Sequence, residues 1–375
     1  MFIGIPKEIK IKEYRVGAVP ASVREFVKQG HKVIVETDAG LGIGATDKDY
    51  EAAGASIATS AKAIFDQANM IIKVKEPQAV ERKMLRSDQI LFTYLHLAPD
   101  PEQAADLIKS GATCIAYEGV TAAEGGFPLL APMSEVAGRL SVLVGAYFLG
   151  KTHGGSGVLL GGVPGVLPAK VAIIGGGVVG AHAATMALGL GAQVTIVDRN
   201  VNTLRNLWKQ FGNHLLTAYS THDTIERLCM EVDLVIGGVL VPGATAPKLI
   251  TRSIVEKMRP GSVIVDVAID QGGCCETSRA TTHENPVYDV GGVIHYCVAN
   301  LPGSVPRTSA YALNNATLPF QLALANKGLT ALQDDQHLLN GLSVHHGLIT
   351  SQPVAEALGY QFVPPKEALR QYPKL

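Results

Sequence analysis

The densest chemistry in the sequence is the run Gly175-Gly176-Gly177-Val178-Val179-Gly180. It follows the apolar stretch Lys170-Val-Ala-Ile-Ile and precedes the small residues Ala181-His182-Ala183-Ala184. A strand, a glycine turn and a helix in that order suit a phosphate cradle. Gly175 permits the turn, Gly177 lets a pyrophosphate touch backbone, and Gly180 lets the helix lie close on the strand. The helix N-terminus then faces the phosphates with free N–H groups and partial positive charge. Asp198 closes the next apolar run, Gln193-Val-Thr-Ile-Val-Asp198, eighteen positions after Gly180. There a carboxylate accepts the ribose hydroxyls of a dinucleotide. A fixed acid repels a 2′-phosphate, which favours NAD over NADP, although the adjacent Arg199 is a residue type that holds that phosphate. The bland alternative is a structural glycine turn beside a surface acid, but that leaves the strand–turn–helix–strand–acid order unexplained.

In an open α/β sheet the ligand lies beyond the carboxyl ends of the strands. In this second half of the chain those loops are Gly237-Gly238-Val239-Leu240, Val267-Ala268-Ile269-Asp270 and Val298-Ala299-Asn300-Leu301. Asp270 is an acid among small and apolar residues; it is either functional or the cap of a turn before Gly272-Gly273. In the first half, Arg15, Lys75 and His96 each fall at or just beyond the end of an apolar run. The three therefore point to one mouth, unless they are solvated strand-end cations and a packed histidine. The other ten histidines, His345-His346 included, show no metal-ligand spacing, so no metal site is expected.

These residues need a scaffold of alternating strands and helices. Candidate strands are Phe2–Ile5, Lys32–Glu36, Met70–Val74, Gln89–Thr93 and Thr113–Ala116, with helical patterns over Ala21–Gln29, Asp47–Gly54 and Pro101–Ser110 between them. Ala131–Leu149 reads as one long helix, and Gly150–Pro168 as a loop rich in glycine. A second series follows, with strands over Lys170–Ile174, Gln193–Asp198, Leu215–Tyr219, Leu234–Gly237, Ser262–Val267 and Val293–Tyr296. Alternation of this kind predicts mostly parallel sheets, hence an α/β fold of two Rossmann-like doubly wound domains. After Pro306 the pattern turns helical, and a lone helical tail needs a partner surface. Packing it on the first domain makes that domain discontinuous, 1–128 with 306–375, and the nucleotide-binding domain, 129–305, an insertion.

Bulk properties exclude several classes. A chain of 375 residues suits two domains, and a formal net charge of −1 leaves no basic footprint for nucleic acid or anionic lipid. Five cysteines without a CxxC pattern give neither a disulfide framework nor a zinc site, so a reducing, cytoplasmic compartment is the expectation. No apolar signal segment opens the chain. Val171–Val197 carries no Asp, Glu, Lys or Arg, yet the glycines within it read as a buried strand, turn and helix rather than a membrane span.

The sequence also resembles the bacterial alanine dehydrogenases along essentially its whole length. The resemblance rests on Ile5-Pro6-Lys7-Glu8 with Glu13-Tyr14-Arg15-Val16, Lys73-Val74-Lys75-Glu76-Pro77, Thr93-Tyr94-Leu95-His96-Leu97-Ala98, Pro132-Met133-Ser134-Glu135-Val136-Ala137-Gly138 and Asp266-Val-Ala-Ile-Asp270-Gln-Gly-Gly, in that order. It implies reversible oxidative deamination of L-alanine to pyruvate and ammonium with NAD, in a homohexamer. Arg15 and Lys75 would hold the substrate carboxylate and carbonyl oxygen, His96 would be the acid/base, and Asp270 would position water and support charged intermediates. Ser134, Val178, Val179, Asp198, Ser220, Val239, Leu240, Arg279 and the loops Val267–Asp270 and Val298–Leu301 would surround NAD. Thr203 departs from the family, whose members often carry a basic residue there. A similar soluble module occurs in proton-translocating transhydrogenases, where it binds NAD(H) without amino-acid chemistry. That module is expected to lack counterparts of His96 and Asp270. A 2-hydroxy-acid dehydrogenase would share the His and Arg but not the surrounding motifs.

Overall fold

The computed structural model describes residues 1–239 and 245–373. Strands are β1 (Phe2–Ile5), β2 (Lys32–Glu36), β3 (Ser56–Ala58), β4 (Met70–Ile72), β5 (Ile90–Thr93), β6 (Thr113–Ala116), β7 (Lys170–Ile174), β8 (Gln193–Asp198), β9 (Leu215–Tyr219), β10 (Leu234–Gly237), β11 (Val263–Asp266), β12 (Val287–Val290), β13 (Val293–Tyr296), β14 (Leu342–His345) and β15 (Leu348–Ile349). The chain forms two compact units, Met1–Met133 with Val305–Leu375, and Ser134–Ser304.

The first unit is built on a sheet of order β15-β14-β6-β5-β4-β1-β2-β3. Strands β1 to β6 are parallel, and β14 and β15 extend the edge in antiparallel pairing. The order reverses between β1 and β4, as in doubly wound sheets. Alternation along the strands feeds two cores. Ile3, Ile5, Met70, Ile72, Ile90 and Phe92 enter one, and Ile71, Leu91 and Cys114 enter the other. Both faces are thus covered, which is why these strands read as unbroken apolar runs rather than as alternating ones. Asp100 caps the helix Pro101–Ser110 by accepting the Gln103 N–H, and Gly111 ends it at φ +70°. The tail returns through the helix Pro306–Lys327. Its buried Asn314 accepts at Oδ1 from the Val19 N–H (2.8 Å) and the Ser22 hydroxyl (3.0 Å).

The second unit has the order β12-β13-β11-β10-β7-β8-β9, parallel except for β12 at one edge. Its reversal lies between β7 and β10. The helix Val178–Gly189 leaves the glycine turn after β7. The helix Ala131–Phe148 packs on it so closely that a Cβ on Gly138 would meet the Val179 carbonyl oxygen at 2.3 Å. The uncharged run from Val171 is a strand, a glycine turn, a helix and a second strand. Among the described residues no helix is long and apolar enough to cross a membrane.

Candidate active site

In the first unit Arg15, Lys75 and His96 follow β1, β4 and β5, three neighbouring parallel strands that span the reversal. All three therefore stand at the same end of one sheet, where doubly wound folds place their ligands. Arg15 is 2% exposed and is gripped fork-to-fork by Glu13, with Nε–Oε1 at 2.7 Å and Nη2–Oε2 at 2.6 Å. The Glu13 Oε1 also accepts the Arg15 backbone N–H, and the third guanidinium nitrogen, Nη1, reaches Met133 Sδ at 3.0 Å. Burial opposes charge on Glu13, but the guanidinium outweighs it and holds the carboxyl below the usual carboxylate range.

Lys75 is half-buried, and its backbone is fixed at both groups. Its N–H donates to Glu8 Oε1 (3.2 Å), and its carbonyl accepts from the Thr93 hydroxyl (2.9 Å). Glu8 also takes the Val74 N–H at 2.6 Å and pairs with the fully buried Lys73 at 2.9 Å; Lys73 in turn reaches Glu81 at 2.8 Å. Burial pushes the Glu8 carboxyl above its ordinary range despite the Lys73 ammonium.

His96 has φ +48°, the left-handed region that costs a non-glycine residue energy and recurs at functional sites. What holds it there is Glu118. The His96 N–H donates to Oε1 at 2.6 Å, and the Leu95 N–H to both carboxylate oxygens at 3.2 Å. The imidazole stacks on Tyr94 with centroids 5.7 Å apart, and its Nδ1 lies 4.0 Å from Glu118 Oε1. Its side chain is 48% exposed, unlike a packed core histidine. Glu8, Glu13 and Glu118 were not singled out from sequence. The one signal available was that Glu118 stands just beyond the strand read over Thr113–Ala116.

In the second unit Gly175 has φ +104° and lies against the next strand across the reversal; a Cβ there would meet the Gly238 carbonyl oxygen at 2.9 Å. A Cβ on Gly180 would fall 1.9 Å from the Gly175 oxygen, so only hydrogen fits. A Cβ on Gly177 would meet nothing within 4 Å, so the turn is open there. That open cradle at the start of the helix fits a pyrophosphate. Val178 is exposed and Val179 buried in the first turn of that helix, and Ser134 is half-buried on the helix Ala131–Phe148. Asp198 accepts the Gly176 N–H on Oδ2 (2.8 Å) and the Asn200 N–H on Oδ1 (2.7 Å). A carboxylate has about four acceptor positions, so capacity remains for ribose hydroxyls. The Ser220 N–H donates to the Asp198 carbonyl at 3.0 Å. Thr203 stands beside the turn, its methyl 2.9 Å from where a Cβ on Gly176 would sit.

Val239, the loop Val267–Asp270 and the loop Val298–Leu301 follow the adjacent parallel strands β10, β11 and β13. Leu240 lies outside the described residues. Val267–Gln271 is a short 3₁₀ turn in which Ala268 and Ile269 are buried and Asp270 is exposed. Asp270 Oδ1 accepts the Asn300 N–H at 3.2 Å, tying the two loops together, and Asn300 itself has φ +57°. The Arg279 guanidinium lies 4.1 Å over the Tyr288 ring. Among the described residues no group of three His, Cys, Asp or Glu side chains is placed to hold a metal ion.

Two doubly wound sheets, one opening on a glycine cradle and the other on a buried guanidinium, a lysine and a histidine, are the build of a dinucleotide-dependent dehydrogenase. Known proteins make that class particular. Residues 4–137 match the model for "Alanine dehydrogenase/PNT, N-terminal domain", and residues 141–352 that for "Alanine dehydrogenase/PNT, C-terminal domain". The chain belongs to the alanine dehydrogenase/PNT family. It is 57% identical to an alanine dehydrogenase of Halomonas elongata over 97% of this chain and 98% of that one. A solved L-alanine dehydrogenase superimposes with a TM-score of 0.93 at 53% identity, covering 96% of this chain and 99% of that one. A solved transhydrogenase from Sinorhizobium meliloti superimposes at 0.80 with 25% identity, covering 94% and 99%.

Proposed function

We propose that this protein is an NAD-dependent L-alanine dehydrogenase that interconverts L-alanine with pyruvate and ammonium. The observation that carries the reading is the presence of Arg15, Lys75 and His96 at the carboxyl ends of three adjacent parallel strands, at the reversal of their sheet. The higher identity to alanine dehydrogenases than to the transhydrogenase supports amino-acid chemistry over a bare NAD(H)-binding module.

In this reading residues 1–128 and 306–375 bind substrate, and residues 129–305 bind NAD. The Gly175–Gly180 turn would hold the pyrophosphate and Asp198 the adenosine ribose. When bound, the nicotinamide supplies the acceptor for the hydride from the alanine Cα. Arg15 holds the substrate carboxylate, its guanidinium kept charged and rigid by Glu13. Lys75 offers a compact positive charge to the substrate oxygen. The amino group gives up a proton to solvent before hydride leaves, so that hydride loss yields the iminium. Water then adds to the iminium carbon and a water proton passes to the His96 imidazole. His96 then returns that proton to the amine nitrogen and takes up the hydroxyl proton as ammonia leaves and the carbonyl of pyruvate forms. Asp270 orients the water and supports the positive intermediates. The reading includes a cytoplasmic homohexamer, on family resemblance.

His96→Ala tests the central assignment. Turnover should fall by roughly 10²–10⁴-fold, the range for a positioned general acid–base, while NADH affinity and melting temperature hold. A folded variant with undiminished turnover removes His96 from the mechanism.

A further inference from the structure

The turn that follows Asp270 is held in an unusual way. Gly272 and Gly273 both adopt positive φ, +88° and +81°, and end the 3₁₀ turn that carries Asp270. The carbonyls of all five residues from Gln271 to Cys275 accept hydrogen bonds from one short segment, residues 246–250. Backbone N–H groups of Ala246, Leu249 and Ile250 serve the Gln271 and Cys274 carbonyls, at 2.8–3.1 Å. The remaining three carbonyls converge on a single atom. Lys248 Nζ donates to Gly272 O at 2.5 Å, Gly273 O at 2.9 Å and Cys275 O at 3.3 Å. An ammonium has three donors on one nitrogen, which is what three converging carbonyls require.

The opposite side of the turn is served by a buried anion. Asp266, 1% exposed at the end of β11, accepts at Oδ2 from the backbone N–H groups of Cys274 (2.9 Å) and Cys275 (3.2 Å) and from the Ser278 hydroxyl (2.5 Å). The turn is thus clamped between a carboxylate on its N–H side and an ammonium on its C=O side. Charge-assisted hydrogen bonds are roughly twice as strong as neutral ones; Asp266 makes its own buried, while Lys248 is exposed and reaches the carbonyls from the solvent side. Neither charged group is placed to touch substrate in the reading above. What both touch is the backbone that sets where Asp270 sits.

We propose that Lys248 and Asp266 are positioning residues for Asp270, holding its turn in the one register that presents the carboxylate for catalysis. The proposal rests on the reading of Asp270 as part of the catalytic apparatus. A displacement of about 1 Å at a reacting group costs on the order of 10²-fold in rate, so a turn released on its carbonyl side should slow the reaction without abolishing cofactor binding.

The test is a double-mutant cycle in the full-length enzyme with Lys248→Met and Asp270→Asn, following kcat, KM for pyruvate, NADH binding by fluorescence titration, and melting temperature. Lys248→Met should lower kcat by roughly 10- to 100-fold and weaken NADH binding by a smaller factor than that, since the same loop is read as bordering NAD. In the Asp270→Asn background it should cause no further loss, because a residue acting only through Asp270 has nothing left to position. Lys248→Arg keeps the charge but presents a planar fork in place of a three-donor point. It should melt normally and still lose turnover, which covers the case in which the methionine variant does not fold. Normal turnover in a folded Lys248 variant, with Asp270→Asn crippled, overturns the clamp alone. So does an equal fold-loss with and without the Asp270 carboxyl, which would make Lys248 an independent contributor. Full turnover in Asp270→Asn instead overturns the reading of Asp270 beneath the proposal, and the proposal with it.

Discussion

Asp198 fixes a backbone turn and, in the proposed reading, a cofactor preference as well. Its two oxygens hold the N–H groups of Gly176 and Asn200, so the charge stands fixed beside the glycine turn. A fixed carboxylate meeting a 2′-phosphate is a like-charge contact worth several kcal/mol in a well-formed site. Asp198→Ala should therefore lower kcat/KM for NAD and narrow its lead over NADP, measured with the two cofactors side by side. Equal use of NAD and NADP by the unaltered protein contradicts the assigned role. At this scale the placement of Arg15, Lys75, His96 and Asp198 at or beyond strand ends was legible in the sequence, because the apolar runs before them mark the strands. The sequence was silent about the acids that fix them. Glu118 meets the His96 backbone across 22 positions and Glu8 the Lys75 backbone across 67, so no local spacing joins either pair. Glu13 is only two residues from Arg15, but nothing local marks the pair as buried.

At the scale of elements, the glycine turn makes a contrast available within three residues. A Cβ on Gly180 would lie 1.9 Å from a backbone oxygen, a clash that no rotamer relieves. Gly180→Ala should cost about 1–3 kcal/mol or more, as overpacking does, and should lower the denaturant midpoint along with NADH affinity. Gly177→Ala fills open space. It should unfold at the normal denaturant concentration and yet bind NADH more weakly if, as proposed, the pyrophosphate rests against this turn. Equal stability losses in the two variants would contradict this account of the turn. The elements that carry the site were legible for a related reason: strands covered on both faces are continuous apolar runs. Those that escaped were short or marginal. β3 has three residues, and β12 is a partly exposed edge. β14 pairs with β6 more than two hundred positions away, within a tail whose local pattern is helical. Only that distant partner makes it a strand. The run read as a strand to Val74 ends at Ile72, where Lys73 turns its side chain to Glu8 and Glu81.

For the whole molecule, each unit contains a buried histidine held by neutral partners. His295 lies between Thr277 and the Val293 carbonyl, and His345 between Thr113 and the Tyr372 carbonyl. Burial pushes both imidazoles below their usual 6.5. Above that pH neither the folded nor the unfolded chain binds a proton at these sites. As pH falls through about 6.5 the unfolded chain gains protons that the folded one refuses, so stability must drop. Each histidine contributes at most about 1.4 kcal/mol per pH unit. The melting temperature should therefore fall more between pH 7.5 and pH 5.5 in the unaltered protein than in a His295→Gln, His345→Gln variant, and equal falls would contradict the buried, neutral assignment.

In the proposed reading the protein couples hydride transfer to the making or breaking of a carbon–nitrogen bond, and one measurement meets that coupling directly. NADH oxidation is followed at a fixed pyruvate concentration, with and without ammonium. If the carbonyl must first become an imine at the site formed by Arg15, Lys75 and His96, NADH is consumed only when ammonium is present, and L-alanine accumulates in equal amount. Oxidation at the full rate without ammonium, with lactate as the product, would contradict the account.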